Sequence, residues 1–96
     1  MTIKSFTVTQ SIVGVSDAAR VTDTADIRIS YAAIITGTVN YTVEHSLDGI
    51  NYFANSDNTN QTTSQDGNYI FPVKDIRVRI NSGAGSIVFT VLQAIT

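Results

Sequence analysis

His45 is the only histidine in the chain, and Ser46 and Asp48 follow it closely. These are the residue types of a nucleophilic triad, in which an imidazole takes the serine proton and a carboxylate orients the imidazole. Their spacing argues against that chemistry. Residues 39–46 alternate in a strand pattern, and strand neighbours point to opposite faces, which separates His45 from Ser46. No G-x-S-x-G elbow is present to lift a serine beside an oxyanion hole. The expectation is that His45 sits at the end of a half-buried face, its ring packed and a ring nitrogen meeting water or a carbonyl.

The carboxylates Glu44, Asp48, Asp57, Asp66 and Asp75 are scattered. Glycoside hydrolysis needs two of them at a defined separation across a cleft, and a domain this small seldom encloses one. Asp57 and Asp66, with their asparagine neighbours, offer oxygen ligands for calcium but lack EF-hand spacing, so a solvated loop is the better reading. With no cysteine and one histidine, neither a disulfide nor a typical zinc site is expected, and no cofactor is implied. Six basic residues against eight acidic ones form no phosphate-binding cluster, which disfavours nucleic acid as a partner. Arg77 and Arg79 share one face of their strand, with Arg28 on a similar outer face. They read as a solvated face or as a polar contact with an acidic partner surface, since a guanidinium binds a carboxylate through two parallel hydrogen bonds.

The elements that must position these groups are strands. Apolar residues recur with period two: Phe6 and Val8, with Ile12 as a weaker continuation; Ile27, Ile29 and Tyr31; Val39, Tyr41, Val43 and His45; Ile76, Val78 and Ile80. Leu47-Asp48-Gly49 should close a hairpin leading to Ile50, Tyr52 and Phe53, and Ser82-Gly83-Ala84-Gly85 a second hairpin joining 75–81 to 86–95. Asp66-Gly67-Asn68 should start a strand at Tyr69-Ile70-Phe71, and Pro72 marks a strand end or an edge. Residues 55–68 carry no hydrophobic side chain and read as an exposed polar loop. Helix signals are confined to one conceivable turn at 16–20. About seven short strands in one domain (1–96) predict an all-β, antiparallel β-sandwich, of jelly-roll or immunoglobulin-like type.

Residues 86–95 depart from the half-buried pattern. One face carries Ile87, Phe89, Val91 and Ile95 around Gln93; the other carries Val88, Leu92 and Ala94 around Thr90. A strand with one face in water should not be apolar on both. Either the N-terminal segment or a loop covers the second face, or Val88, Leu92 and Ala94 meet another subunit or a host surface. The second option suits a domain of 96 residues, which buries a modest share of its surface alone and gains stability from oligomerisation.

The second half of the chain carries a resemblance. Residues Gly37-Thr38-Val39-Asn40-Tyr41-Thr42-Val43-Glu44-His45-Ser46-Leu47-Asp48-Gly49 form its first block. Asp66 through Ile80 form the second, continuing through Ser82–Ser86 to Thr90–Ala94. Over roughly residues 37–95 this pattern resembles small structural proteins of tailed-bacteriophage virions, of the capsid decoration (cement) type. The resemblance implies a non-catalytic protein that binds the outer head lattice, with the major capsid protein as partner, as a dimer or trimer. It also implies assembly in the host cytoplasm, and the start Met1-Thr2-Ile3-Lys4-Ser5-Phe6 has no signal-peptide pattern. No apolar run approaches the ~20 residues of a membrane helix, so no membrane partner is expected. A tail-associated role is the nearest variant. The segment Ser46-Leu47-Asp48-Gly49 followed by aromatics is similar to hairpins of carbohydrate-binding and discoidin-like sandwiches. That likeness implies an alternative, a glycan-binding module with Tyr52 or Tyr69 as its platform.

Overall fold

The computed structural model describes residues 2–21 and 28–95, with the side chains of Thr2 and Ile95 excepted. Nine strands follow one another: β1 (Thr2–Gln10), β2 (Gly14–Val15), β3 (Ala19–Arg20), β4 (Ile29–Thr36), β5 (Val39–Ser46), β6 (Tyr52–Ala54), β7 (Gln65–Tyr69), β8 (Asp75–Gly83) and β9 (Ser86–Ile95). They form two antiparallel sheets. The front sheet has the order β1-β9-β4-β7, and the back sheet the order β2-β8-β5-β6 with β3 also on β8. The two strands beyond the expected count are β2 and β3, each of two residues and too short for alternation to register.

The predicted alternation sets the core. Ile29, Tyr31 and Ala33 of β4 and Ile87, Phe89 and Val91 of β9 face Val39, Tyr41 and Val43 of β5 and Ile76, Val78 and Ile80 of β8. Phe6 and Val8 of β1 pack against this cluster from the edge. Ile27 lies outside the described residues, and Ile12 is exposed rather than continuing β1 inward. In place of a helical turn at 16–20, the chain runs along the edge of β8. Ser16 donates its N–H to the Val78 carbonyl at 2.9 Å, and its Oγ accepts from the Val78 N–H at 3.1 Å.

One expected hairpin forms and the other does not. β5 and β6 pair across the Asp48 turn, although Ile50 stays in the turn, 81% exposed. β8 and β9, by contrast, lie in different sheets, so Ser82–Gly85 is an arch over the core. The connection of β4 to β5 is a second arch, and the two are stacked: the Gly85 N–H donates to the Thr38 carbonyl at 3.0 Å. A Cβ on Gly85 would lie 2.2 Å from the Thr36 oxygen and 2.6 Å from Val39 Cγ2, so the stack admits only glycine there. Local turn residues look alike for a hairpin and an arch. What decides is that β8 and β9 each already have neighbours on both sides within their own sheet.

The polar stretch 55–68 is mostly exposed, as expected, but it also makes backbone pairings that the sequence did not suggest. Residues 55–61 seal the edge of β5, with bonds from Tyr41 N to Gln61 O at 2.9 Å and from Val43 N to Asn58 O at 2.9 Å. Asn55 and Asn58 are buried, and the Asn58 amide donates to the Tyr31 hydroxyl inside the sandwich. Asparagine serves here because its amide satisfies buried backbone and phenol groups that an apolar residue would strand. Strand β7 begins at Gln65, earlier than predicted, and ends at Tyr69, leaving Ile70 and Phe71 exposed ahead of Pro72. Gly67 lies against the Tyr31 ring, where a Cβ would come within 2.5 Å of its hydroxyl.

Candidate functional site

The two outer faces of the sandwich differ in chemistry. On the back sheet, register places Glu44 of β5 opposite Arg77 of β8. Arg77 Nε donates to Glu44 Oε1 at 2.8 Å, and Arg79 Nε donates to Oε2 at 3.1 Å. The Arg77 guanidinium also lies 3.6 Å from the centre of the Tyr52 ring. Asp75 accepts from Arg20 Nε at 2.6 Å. Farther along, Asn81 donates to Asn40 and Thr42 at 2.9 and 3.0 Å. The acidic surface sought for Arg77 and Arg79 is therefore inside the chain, at Glu44. The alternation of residues 39–46 put Glu44 on an outer face, but only the pairing of β5 with β8 brings it to the arginines.

The front sheet presents a different face. Outward residues are Ile3, Ser5, Thr7 and Thr9 from β1, Val88, Thr90, Leu92 and Ala94 from β9, and Ser30, Ala32, Ile34 and Thr36 from β4. None of these is charged; the fourth strand, β7, adds Asn68 and the charged Asp66 opposite Ser30 and Ala32, so among the described residues charge on this face is confined to its β7 side and to Arg28. Val88 and Leu92 remain 40% and 42% exposed, Ile3 52% and Ile34 55%. The N-terminal segment does not cover this face; it extends the sheet beside β9, with Ile3 opposite Ala94 and Thr9 opposite Val88. Near one end an open hollow of about 460 Å³ lies between Ile3, Leu92, Ala94, Ser30 and Asn68, with Arg28 on its lining.

Val88, Leu92 and Ala94 thus share one surface, while Arg77 and Arg79 lie on the opposite sheet and cannot join them in a flat contact. Sequence reasoning missed Ile3 and Ile34. The signal for Ile34 was present in the run Ile29-Ser30-Tyr31-Ala32-Ala33-Ile34-Ile35, which is apolar on both faces in the same way as residues 86–95.

The would-be triad is dispersed. His45 Nδ1 is 2.9 Å from the Tyr69 hydroxyl, and its ring meets Tyr69 edge-on at 5.1 Å and Phe71 at 6.1 Å. Its partner is a phenol rather than water or a carbonyl, and burial lowers its pKa from the ordinary value. Ser46 serves the turn instead, donating to Asp48 Oδ1 at 3.0 Å and accepting from the Gly49 N–H at 2.8 Å. Asp48 also accepts from the N–H groups of Asn51 and Ile50, at 2.7 and 2.8 Å, which holds its carboxyl far below the usual range. Neither proposed sugar platform is open: Tyr69 is buried, and Arg77 lies over the Tyr52 ring. Among the described residues no cluster of His, Cys, Asp and Glu has the arrangement of a metal site.

No family model and no curated protein matches the sequence. Among solved structures the chain is similar to one described as "Bacillus endospore appendages form a novel family of disulfide-linked pili". The identity is 17% and the TM-score 0.44, over 99% of this chain and 90% of that one. A likeness at that level carries no functional argument.

Proposed function

We propose that the protein is a non-catalytic structural component of a bacteriophage virion, a capsid decoration protein that seats its front sheet on the outer head lattice. The observation that carries this reading is the uncharged outer face of β1, β9 and β4, with Ile3, Ile34, Val88, Leu92 and Ala94 set among serines and threonines. These three strands lose less on leaving water than a charged face would, because hydroxyls that find hydrogen-bond partners are cheap to bury and none of the three presents a charge to be desolvated. The back sheet suits the solvent side, since its arginines and carboxylates are paired among themselves.

The energetics favour many weak contacts. Ile3, Ile34, Val88 and Leu92 are already about half covered, so burying the remainder is worth roughly 1 kcal/mol apiece. Association costs on the order of 4–15 kcal/mol in lost freedom, so one subunit on one lattice site binds weakly. An oligomer spanning adjacent capsid subunits gains from effective concentration.

The test is co-sedimentation with heads assembled from the major capsid protein of the same phage. Wild type should travel with the heads, and Leu92→Asp should bind at least about tenfold more weakly, because it places a charge against a desolvated surface. Wild type left in the supernatant sinks the proposal. Binding to a glycan array through the exposed Phe53 and Phe71 would replace it with the sugar-binding reading.

A further inference from the structure

The back sheet and the front sheet treat their edges differently. Residues 14–21 seal β8 through bonds that include Ser16 N to Val78 O and Val21 N to Lys74 O at 2.8 Å. Residues 55–61 seal β5 in the same manner. β6 has three residues. β7 has five, one of them Gly67, and Pro72 follows shortly after it. Short strands, irregular covers and nearby prolines are the usual ways to blunt an edge.

β1 has none of these. It runs for nine residues in unbroken register with β9, from Thr2 opposite Ile95 to Gln10 opposite Ile87. It contains no proline and no bulge. Its one blunting feature is Lys4, a charge on the inward-facing side, and its ammonium is taken up within the chain by the Arg20 carbonyl. Among the described strands it is the one long, regular edge. A regular edge of this kind is a template for strand addition.

We propose that two copies of the chain pair through β1, antiparallel about a two-fold axis near Phe6, joining their four-stranded front sheets into one. The occupant is a second copy because the edge is complementary to itself. With Phe6 on the axis, Ser5 of each copy lies opposite Thr7 of the other, Ile3 opposite Thr9, and Lys4 opposite Val8. No like charges meet, and the serine–threonine pairs favour antiparallel neighbours. The strand also continues the uncharged part of the front face, formed by β1, β9 and β4, where Thr7 Oγ1 already lies 3.3 Å from Thr90 Oγ1. The dimer doubles that face in one plane. This purpose rests on the decoration reading; the pairing itself does not.

The experiment is light scattering of the purified chain without heads, from micromolar to hundreds of micromolar. Wild type should show twice the 10.3 kDa monomer mass. The pair Ser5→Lys, Thr7→Lys sets lysine opposite lysine across the axis, and should shift the monomer–dimer midpoint to roughly tenfold higher concentration or more. The pair Ser5→Lys, Thr7→Glu sets opposite charges together and should restore the dimer. Leu92→Asp should leave the mass unchanged, which separates this interface from head binding. Hydrogen exchange of wild-type β1 amides should quicken on dilution, a readout that needs no variant to fold. A wild-type monomer throughout, or a Lys-Lys variant that dimerises like wild type, overturns the pairing.

Discussion

At the scale of single residues, Glu44 does the most. It accepts from two arginines on an otherwise unremarkable sheet face, and its side chain is 12% exposed. Glu44→Gln would leave two guanidinium groups side by side, and should cost about 1–3 kcal/mol by denaturant unfolding, less than a fully buried pair because Arg79 is partly solvated. Tyr31→Phe removes the acceptor of the buried Asn58 amide and should cost about 1–3 kcal/mol, while Asn58→Ala in that background should cost little more. His45 makes stability depend on pH. Its folded pKa lies below the unfolded value of about 6.5, so the unfolded chain binds the proton first. The contribution is present above pH 6.5 and lost as pH falls below it; the thermal midpoint should drop from pH 7.5 to 5.5, and His45→Asn should flatten that slope. Burial likewise pushes the Tyr41 and Tyr69 hydroxyls up to about 12. Stability should therefore decline above pH 10, where the unfolded phenols ionise. Periodicity alone placed His45 at the end of a half-buried face. It could not name Tyr69 as the partner, because that contact spans two sheets.

Among elements, alternation revealed the strands and hid their pairing. Residues 39–43 and 76–80 read correctly as strands with one face inward, and Leu47-Asp48-Gly49 correctly as a hairpin. Ser82–Gly85 was misread because glycine-rich turns serve hairpins and arches equally, and only the competition among long-range partners separates them. The stretch 55–68 was read correctly as largely exposed, but its cover along β5 went unseen for a related reason. Without hydrophobic residues it offers no periodic signal, yet Asn55 and Asn58 are buried by polar bonds that composition scales count as exposure. The stacked arches make a sharp prediction. Gly85→Ala forces a Cβ against the Thr36 carbonyl and Val39, and should destabilise the domain by about 1–3 kcal/mol or prevent folding. Ala84→Ser, one residue away and exposed, should stay within about 0.5 kcal/mol of wild type.

For the whole molecule, the asymmetry of the two faces matters more than any one site. The double-sided apolar pattern of residues 86–95 marked the front face from sequence. The matching pattern at Ile34 and the contribution of Ile3 emerged only when β1, β9 and β4 were laid side by side. Because Leu92 lies outside the core, Leu92→Asp should keep the wild-type thermal midpoint to within a few degrees, roughly the effect of 0.5 kcal/mol in a domain this size. A large drop in calorimetry would mean that the front face is needed for folding rather than for docking.

The pairing of Thr2 with Ile95 sets the two ends of the described chain side by side, with β1 and β9 running away from them together. A pull applied between those ends would peel the two strands apart one rung at a time. The work would fall on a single hydrogen-bonded pair at each moment, never on the whole ladder in shear. The molecule is consequently weak when tugged by those ends.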